Sequence, residues 1–164
     1  MQYQIGSKVV YPMHGAGVIE AIEEREIMGT KQDYYIIKIP IGDMKVMVPT
    51  QTAEEIGLRD VLTPDAADRV LEDFKNCPID MDSNWNKRYR ENMSRIKSGN
   101  LSDVVYVVKN LMHRDKLRGL STGERKMLSS AKQILISELV IAKSCTQDKI
   151  EKEMNLLVEA EISR

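Results

Sequence analysis

The chain of 164 residues is short of the residues on which metal and redox chemistry depend. It holds two cysteines, Cys77 and Cys145, and two histidines, His14 and His113. The four lie far apart, without paired ligand spacing, so no metal site is expected. No apolar run is long enough to span a bilayer, so no membrane partner is expected. The start, Met1-Gln2-Tyr3-Gln4-Ile5-Gly6, lacks a basic-then-apolar export signal. Two lone cysteines without such a signal lead us to expect a reducing cytoplasm. Aromatic residues are also scarce: one tryptophan, one phenylalanine and six tyrosines.

What is present is enough apolar residue for a core, at 42% of the chain. Charge is present too, but unevenly. Residues 1–62 carry 6 basic and 9 acidic side chains, a net of −3, whereas residues 63–164 carry 18 and 16, a net of +2. Within 84–132 the count is 12 basic against 4 acidic, a net of +8. The whole-chain charge of −1 therefore hides a local cationic stretch, and local fields govern association with polyanions.

The hydrophobic period changes near residue 55. Before it, β-rich runs at Lys8–Tyr11, Gly17–Ile22, Tyr34–Ile39 and Met44–Val48 alternate with Gly and Pro punctuation. This predicts a small antiparallel β domain of SH3-like or Tudor-like type over 1–55. A linker is expected over 56–63. After it, capping signals and helical spacing predict a compact all-α bundle of about five helices over 64–164, so the fold class is α+β. Thr63-Pro64-Asp65 opens the first helix, and Ser83 is read as the cap of the second. Asn100 opens the third, Gly119 closes it, and Ser121-Thr122-Gly123-Glu124 reads as a capping box. The last helix is expected at about 147–162.

Few motifs carry chemistry. Met13-His14-Gly15-Ala16-Gly17 has glycine spacing, but neither a nucleophile elbow nor a strand-to-helix context accompanies it. It reads as a tight turn. No acid/base or nucleophile set can be assembled, so neither enzymatic activity nor a cofactor is expected. Trp85 is the informative residue. It stands in Ser83-Asn84-Trp85-Asn86-Lys87-Arg88-Tyr89-Arg90, the most basic stretch of the chain. Local chemistry leaves two roles open: a core plug, or a ring that stacks or wedges in nucleic acid while the cations hold phosphates. Trp85, Tyr89, Met93 and Ile96 step by four, four and three and share one helical stripe. Further basic groups follow at Arg114, Lys116 and Arg118, and at Arg125-Lys126. With Lys87, Arg88 and Arg90, the residues Arg114, Arg118, Arg125 and Lys126 form the expected phosphate-contact set. Little direct base readout is expected, because no row of Asn, Arg and Gln marks a recognition helix.

Gly6-Ser7-Lys8-Val9-Val10-Tyr11-Pro12-Met13-His14-Gly15, Val46-Met47-Val48-Pro49, Asn84-Trp85-Asn86-Lys87-Arg88-Tyr89 and the stretch from Arg118 to Leu128 together show a resemblance. The chain resembles the CarD family of bacterial RNA-polymerase-binding transcription regulators over nearly its whole length. The first segment is shared with the polymerase-docking module of the transcription-repair coupling factor. The resemblance implies an N-terminal domain that docks on the polymerase β subunit by pairing strand edges. It implies a helical domain that contacts promoter DNA at the upstream edge of the melted region. There the family's tryptophan, Trp85, enters the minor groove and opposes closure of the bubble. Arg25 occupies a docking position, and Val46, Met47, Val48 and Pro49 form the docking strand. Met47 stands where the family carries a basic residue, so strand pairing and apolar packing are expected to carry more of the contact.

Two other readings share the same residues. In one, the helical half recruits another protein through an apolar groove, which makes the chain a polymerase-bound adaptor. In the other, Tyr3, Tyr11, Tyr34 and Tyr35 stack on RNA bases. A monomer is expected in every case.

Overall fold

The computed structural model describes residues 2–163. Five strands form one antiparallel sheet: β1 (Lys8–Tyr11), β2 (Gly15–Ile27), β3 (Thr30–Ile39), β4 (Met44–Pro49) and β5 (Arg59–Asp60), in the order β4-β3-β2-β1-β5. A short helix, α1 (Ala53–Ile56), links β4 to β5. Five longer helices follow: α2 (Pro64–Asn76), α3 (Trp85–Lys97), α4 (Leu101–Arg118), α5 (Thr122–Lys143) and α6 (Gln147–Ile162). The mixed α+β architecture matches the sequence reading. None of these helices is long and apolar enough to cross a membrane.

β2 and β3 are much longer than their apolar cores. Glu23–Ile27 pairs with Thr30–Tyr34 to extend the hairpin past the hydrophobic runs. Met28 and Gly29 both take positive φ, 52° and 80°, which gives the tight turn whose twist suits a two-residue hairpin. A register shift between Ile19 and Ala21 bends β2. One face of the sheet buries Val9, Ile19, Tyr35, Ile37, Ile39 and Val48 under α1 and Leu58. Tyr3 lies edge-on to Tyr35 and donates to the Leu58 carbonyl at 3.2 Å. Tyr3, Tyr34 and Tyr35 are buried, so three of the four tyrosines assigned above to RNA stacking pack inside instead.

The helix starts follow local capping. Thr63, Asn100, Ser121 and Thr146 each accept from a backbone N–H of the first turn. At α3 the cap is Asn84, which accepts from Lys87 N, and not Ser83. The box at Ser121 is only half formed, because Glu124 turns away to another partner described below. α5 is the spine of the bundle and buries residues along much of its length.

α5 also fixes the sheet. Ala16 N donates to Ser137 Oγ at 2.8 Å, and Gln133 donates to the Ile41 carbonyl. Gly15 lies against the same hydroxyl at φ 121°; a Cβ there would sit 2.5 Å from Ser137 Oγ. The glycine turn at residues 13–17 is thus also a close backbone-to-helix contact. Residues 59 and 60, within the stretch expected as a linker, join the sheet beside β1. Arg59 donates to both oxygens of Glu138 at 2.8 Å, and Leu62 N donates to Glu138 Oε2 at 3.0 Å. Glu138 has no exposed surface. Glu138→Ala is therefore expected to cost about 2 kcal/mol, since it orphans a backbone donor while half-exposed Arg59 regains water. A urea titration checks this; an unchanged midpoint would show that the clamp adds nothing.

Candidate nucleic-acid interface

α3 begins at Trp85 because Asn84 satisfies its first turn, and Asp82 in turn accepts from Asn84 N at 2.9 Å. That backbone hydrogen bond, reinforced by Lys87, holds the Asp82 carboxyl below its ordinary range. Asp82 in the same way raises the Lys87 ammonium. An acid with a depressed folded value stabilises the fold above its unfolded pKa of 3.8. The benefit is lost as pH falls through the lower folded value. This start of α3 is therefore intact across the physiological range.

The helical stripe runs from outside to inside. Trp85 is 41% exposed, Tyr89 and Met93 are half-buried, and Ile96 is 5% exposed. The Trp85 ring stacks on Tyr89 at 4.9 Å between centroids and 20° between planes. Its indole N–H donates to Ser121 Oγ at 3.1 Å. Ser121 Oγ also accepts from Glu124 N at 3.2 Å, so the hydroxyl that caps α5 also holds the indole. The ring is therefore presented to solvent in one fixed pose. Its only polar atom is already bonded, which suits insertion by shape over reading of a base edge.

Arg88 was expected at a phosphate, and the structure corrects this. Its side chain is 9% exposed and forms a two-pronged pair with Glu124, at 2.9 Å from Nε and 3.2 Å from Nη2. A third bond goes to the Asp82 carbonyl at 3.2 Å. Glu124 is 2% exposed, and a buried carboxylate needs such a partner. Lys109 is also internal and donates to the carbonyls of Lys75 and Cys77 at 2.8 Å each, at the end of α2. Two of the twelve basic residues of 84–132 are thus structural. Sequence reading missed both, although Arg88, Asn92 and Ile96 step by four and all three are buried.

Six of the remaining cations lie on the three helix ends that meet near Trp85. Lys87 and Arg90 leave the first turns of α3, while Arg125 and Lys126 leave the first turn of α5. Arg114 and Arg118 end α4, which Gly119 and Leu120 join to Ser121. Arg90, Arg118, Arg125 and Lys126 are exposed and take part in none of the ion pairs among the described residues. Lys87 pairs with Asp82 at 3.2 Å, and Arg114 is half-buried and shares a small hollow with Asp80. The N-terminus of α5 adds free backbone donors and positive dipole to the same corner.

In the N-terminal sheet β4 is the open edge, while β5 is two residues long and held to α5 through Arg59. Met47 is 40% exposed and Val46 and Pro49 are half-buried, whereas Val48 has no exposed surface and belongs to the core. Val48 is therefore available to a partner only through its backbone. Arg25, on the exposed part of β2, donates from Nε to Glu23 at 3.0 Å. Among the described residues no cluster of His, Cys, Asp and Glu is placed to hold a metal.

Two family models match the chain: the CarD-like/TRCF RID domain over residues 3–62 and the CarD C-terminal domain over residues 69–155. The chain is also 40% identical over 148 residues to YdeB of Bacillus subtilis (strain 168), which is named as a candidate transcription factor. That similarity spans 90% of this chain and 97% of the relative.

Proposed function

The chain belongs to the CarD-like family of transcription regulators, and on that premise we propose that it stabilises open promoter complexes while docked on the RNA polymerase β subunit. The docking element is the β4 edge, together with Arg25 on the extended part of β2, on the far side of β3. The DNA element is the Trp85 corner, where Lys87, Arg90, Arg114, Arg118, Arg125 and Lys126 meet phosphates. Arg88 is excluded from that set by its bond to Glu124. The protein acts as a monomer in the cytoplasm, makes no bond and uses no cofactor.

The observation that carries the reading is the fixed, exposed Trp85 ring near Arg90, Arg118, Arg125 and Lys126, exposed cations that take part in none of the ion pairs among the described residues. A rigid ring enters a splayed minor groove without losing rotamer freedom at that moment. Closed duplex offers no such gap, so the protein prefers the open state and shifts the equilibrium toward it. Phosphate contacts supply the rest and make binding fall steeply with salt. The acidic N-terminal domain is repelled by DNA, which orients the helical end toward it.

Trp85 is the only tryptophan, so its fluorescence reports directly. Duplex with a short melted bubble is expected to shift the emission; closed duplex of the same length is expected to do so much less. Equal response to both, or to neither, would overturn the DNA assignment. Docking is tested at Met47, where Met47→Arg supplies a charge at an exposed edge position. It is expected to tighten β-subunit binding about threefold, and Met47→Glu to weaken it by a similar factor. Unchanged binding in both variants would remove β4 from the contact.

A further inference from the structure

A groove of about 270 Å³ opens beside the Trp85–Tyr89 stack. Met13, Tyr89, Met93, Ile96, Met127 and Ile134 form its apolar walls. Met13 comes from the β1–β2 turn, where its φ of 68° holds it 47% exposed, so both halves of the protein contribute. Lys126 and Ser130, both exposed on α5, complete the lining with Gly123. A Cβ at Gly123 would lie 3.5 Å from Tyr89 and 3.8 Å from the Trp85 ring, so the groove continues directly from the wedge.

We propose that this groove receives one unstacked nucleobase of the melted promoter strand. The proposal rests on the reading of Trp85 as a DNA wedge. Size is the first argument: the volume lies just below that of pockets for drug-sized ligands, which suits one planar ring system. A helix or strand of a partner protein needs a longer trough. Chemistry is the second. Three of the walls are methionines, whose polarizable thioethers make favourable contacts with aromatic rings and whose flexible stems adapt to different shapes. Such walls accept purines and pyrimidines alike. Charge is the third. No acidic side chain lines the groove, and Lys126, with Arg125 beside it, stands where the attached phosphate would pass.

Availability is the last argument. A wedge at the bubble edge separates a base pair and leaves bases without their stacking partners. A base that regains apolar contact in the groove cannot re-pair while it stays there. The ring would thus open the gap, and the groove would keep one strand from returning.

The test uses the full chain, RNA polymerase and a promoter carrying 5-iodouracil at one position at a time across the upstream bubble edge. Irradiation is expected to cross-link one position to Tyr89 or a groove methionine in the open complex and not in closed duplex. Ser130→Phe fills the groove from an exposed position outside both cores. It is expected to abolish the cross-link and to shorten the open-complex lifetime about tenfold, within the range one stacked base supplies. Met13→Ala removes one exposed wall and is expected to give a smaller drop; circular dichroism confirms that both variants fold. If Trp85→Ala shortens the lifetime but Ser130→Phe changes neither lifetime nor cross-link, the groove assignment fails alone. If Trp85→Ala changes nothing, the DNA reading fails and the groove with it. A shortened lifetime under Ser130→Phe, with no base cross-linked in the unsubstituted protein, would assign the groove to a protein partner and overturn the nucleobase.

Discussion

Trp85→Ala is expected to shorten the lifetime of the open promoter complex about tenfold, a loss of roughly 1.4 kcal/mol of preference for the open state. Polymerase affinity is expected to stay unchanged, because β4 and Arg25 lie on the other domain. The ring contributes twice. In the proposed wedge it would occupy the splayed groove, already oriented by Tyr89 and by the Ser121 hydroxyl. Trp85→Phe separates the two: it keeps an aromatic ring but loses the bond to Ser121. Phe is expected to give an intermediate lifetime. A lifetime equal to that of the unsubstituted protein would show that the indole N–H bond does not matter. Promoter dissociation measured with a competitor reads both variants, and unchanged lifetimes with alanine would remove the wedge from the mechanism. The fold itself is expected to survive, since 41% of Trp85 is exposed and Ile96 anchors the stripe below it.

The second large effect is structural. Arg88→Ala is expected to lower stability by about 3 kcal/mol, because it strands the Glu124 carboxylate in a dry site. Joint replacement, Arg88→Met with Glu124→Leu, removes both charges and is expected to recover most of the loss. Urea unfolding of the three variants gives the comparison. The same substitution distinguishes two roles for Arg88. A phosphate-binding arginine on the surface would leave the unfolding midpoint alone and reduce the salt slope of DNA binding by about one. A large drop in midpoint identifies the internal pair.

The sequence revealed some elements and hid others for reasons that can be named. Thr63, Asn100, Ser121 and Gly119 mark helix ends because the orphaned backbone groups there must find partners within a few residues. The stripe of α3 and the change of period near residue 55 are likewise local. The outer half of the β2–β3 hairpin was hidden because Glu23, Glu24, Arg25 and Glu26 show no apolar alternation; register and the Met28–Gly29 turn hold that ladder. The cap of α3 was misplaced by one residue, since Ser83 and Asn84 are both good caps and only the backbone geometry chooses between them.

Twelve basic residues in 84–132 look alike in one dimension. Folding divides them: Lys109 ends inside against two carbonyls, Arg88 inside against Glu124, and Arg125 and Lys126 remain outside. The contacts that set one domain against the other join Ala16 to Ser137 and Arg59 to Glu138, 121 and 79 residues apart. The sequence by itself determined the two-part α+β plan, the helix ends and the family, because these rest on neighbours along the chain. Only the tertiary structure decided which cations are free, how Trp85 is held and where the groove lies. The reason is that the environment of a charge or a ring is set by what distant segments bring beside it.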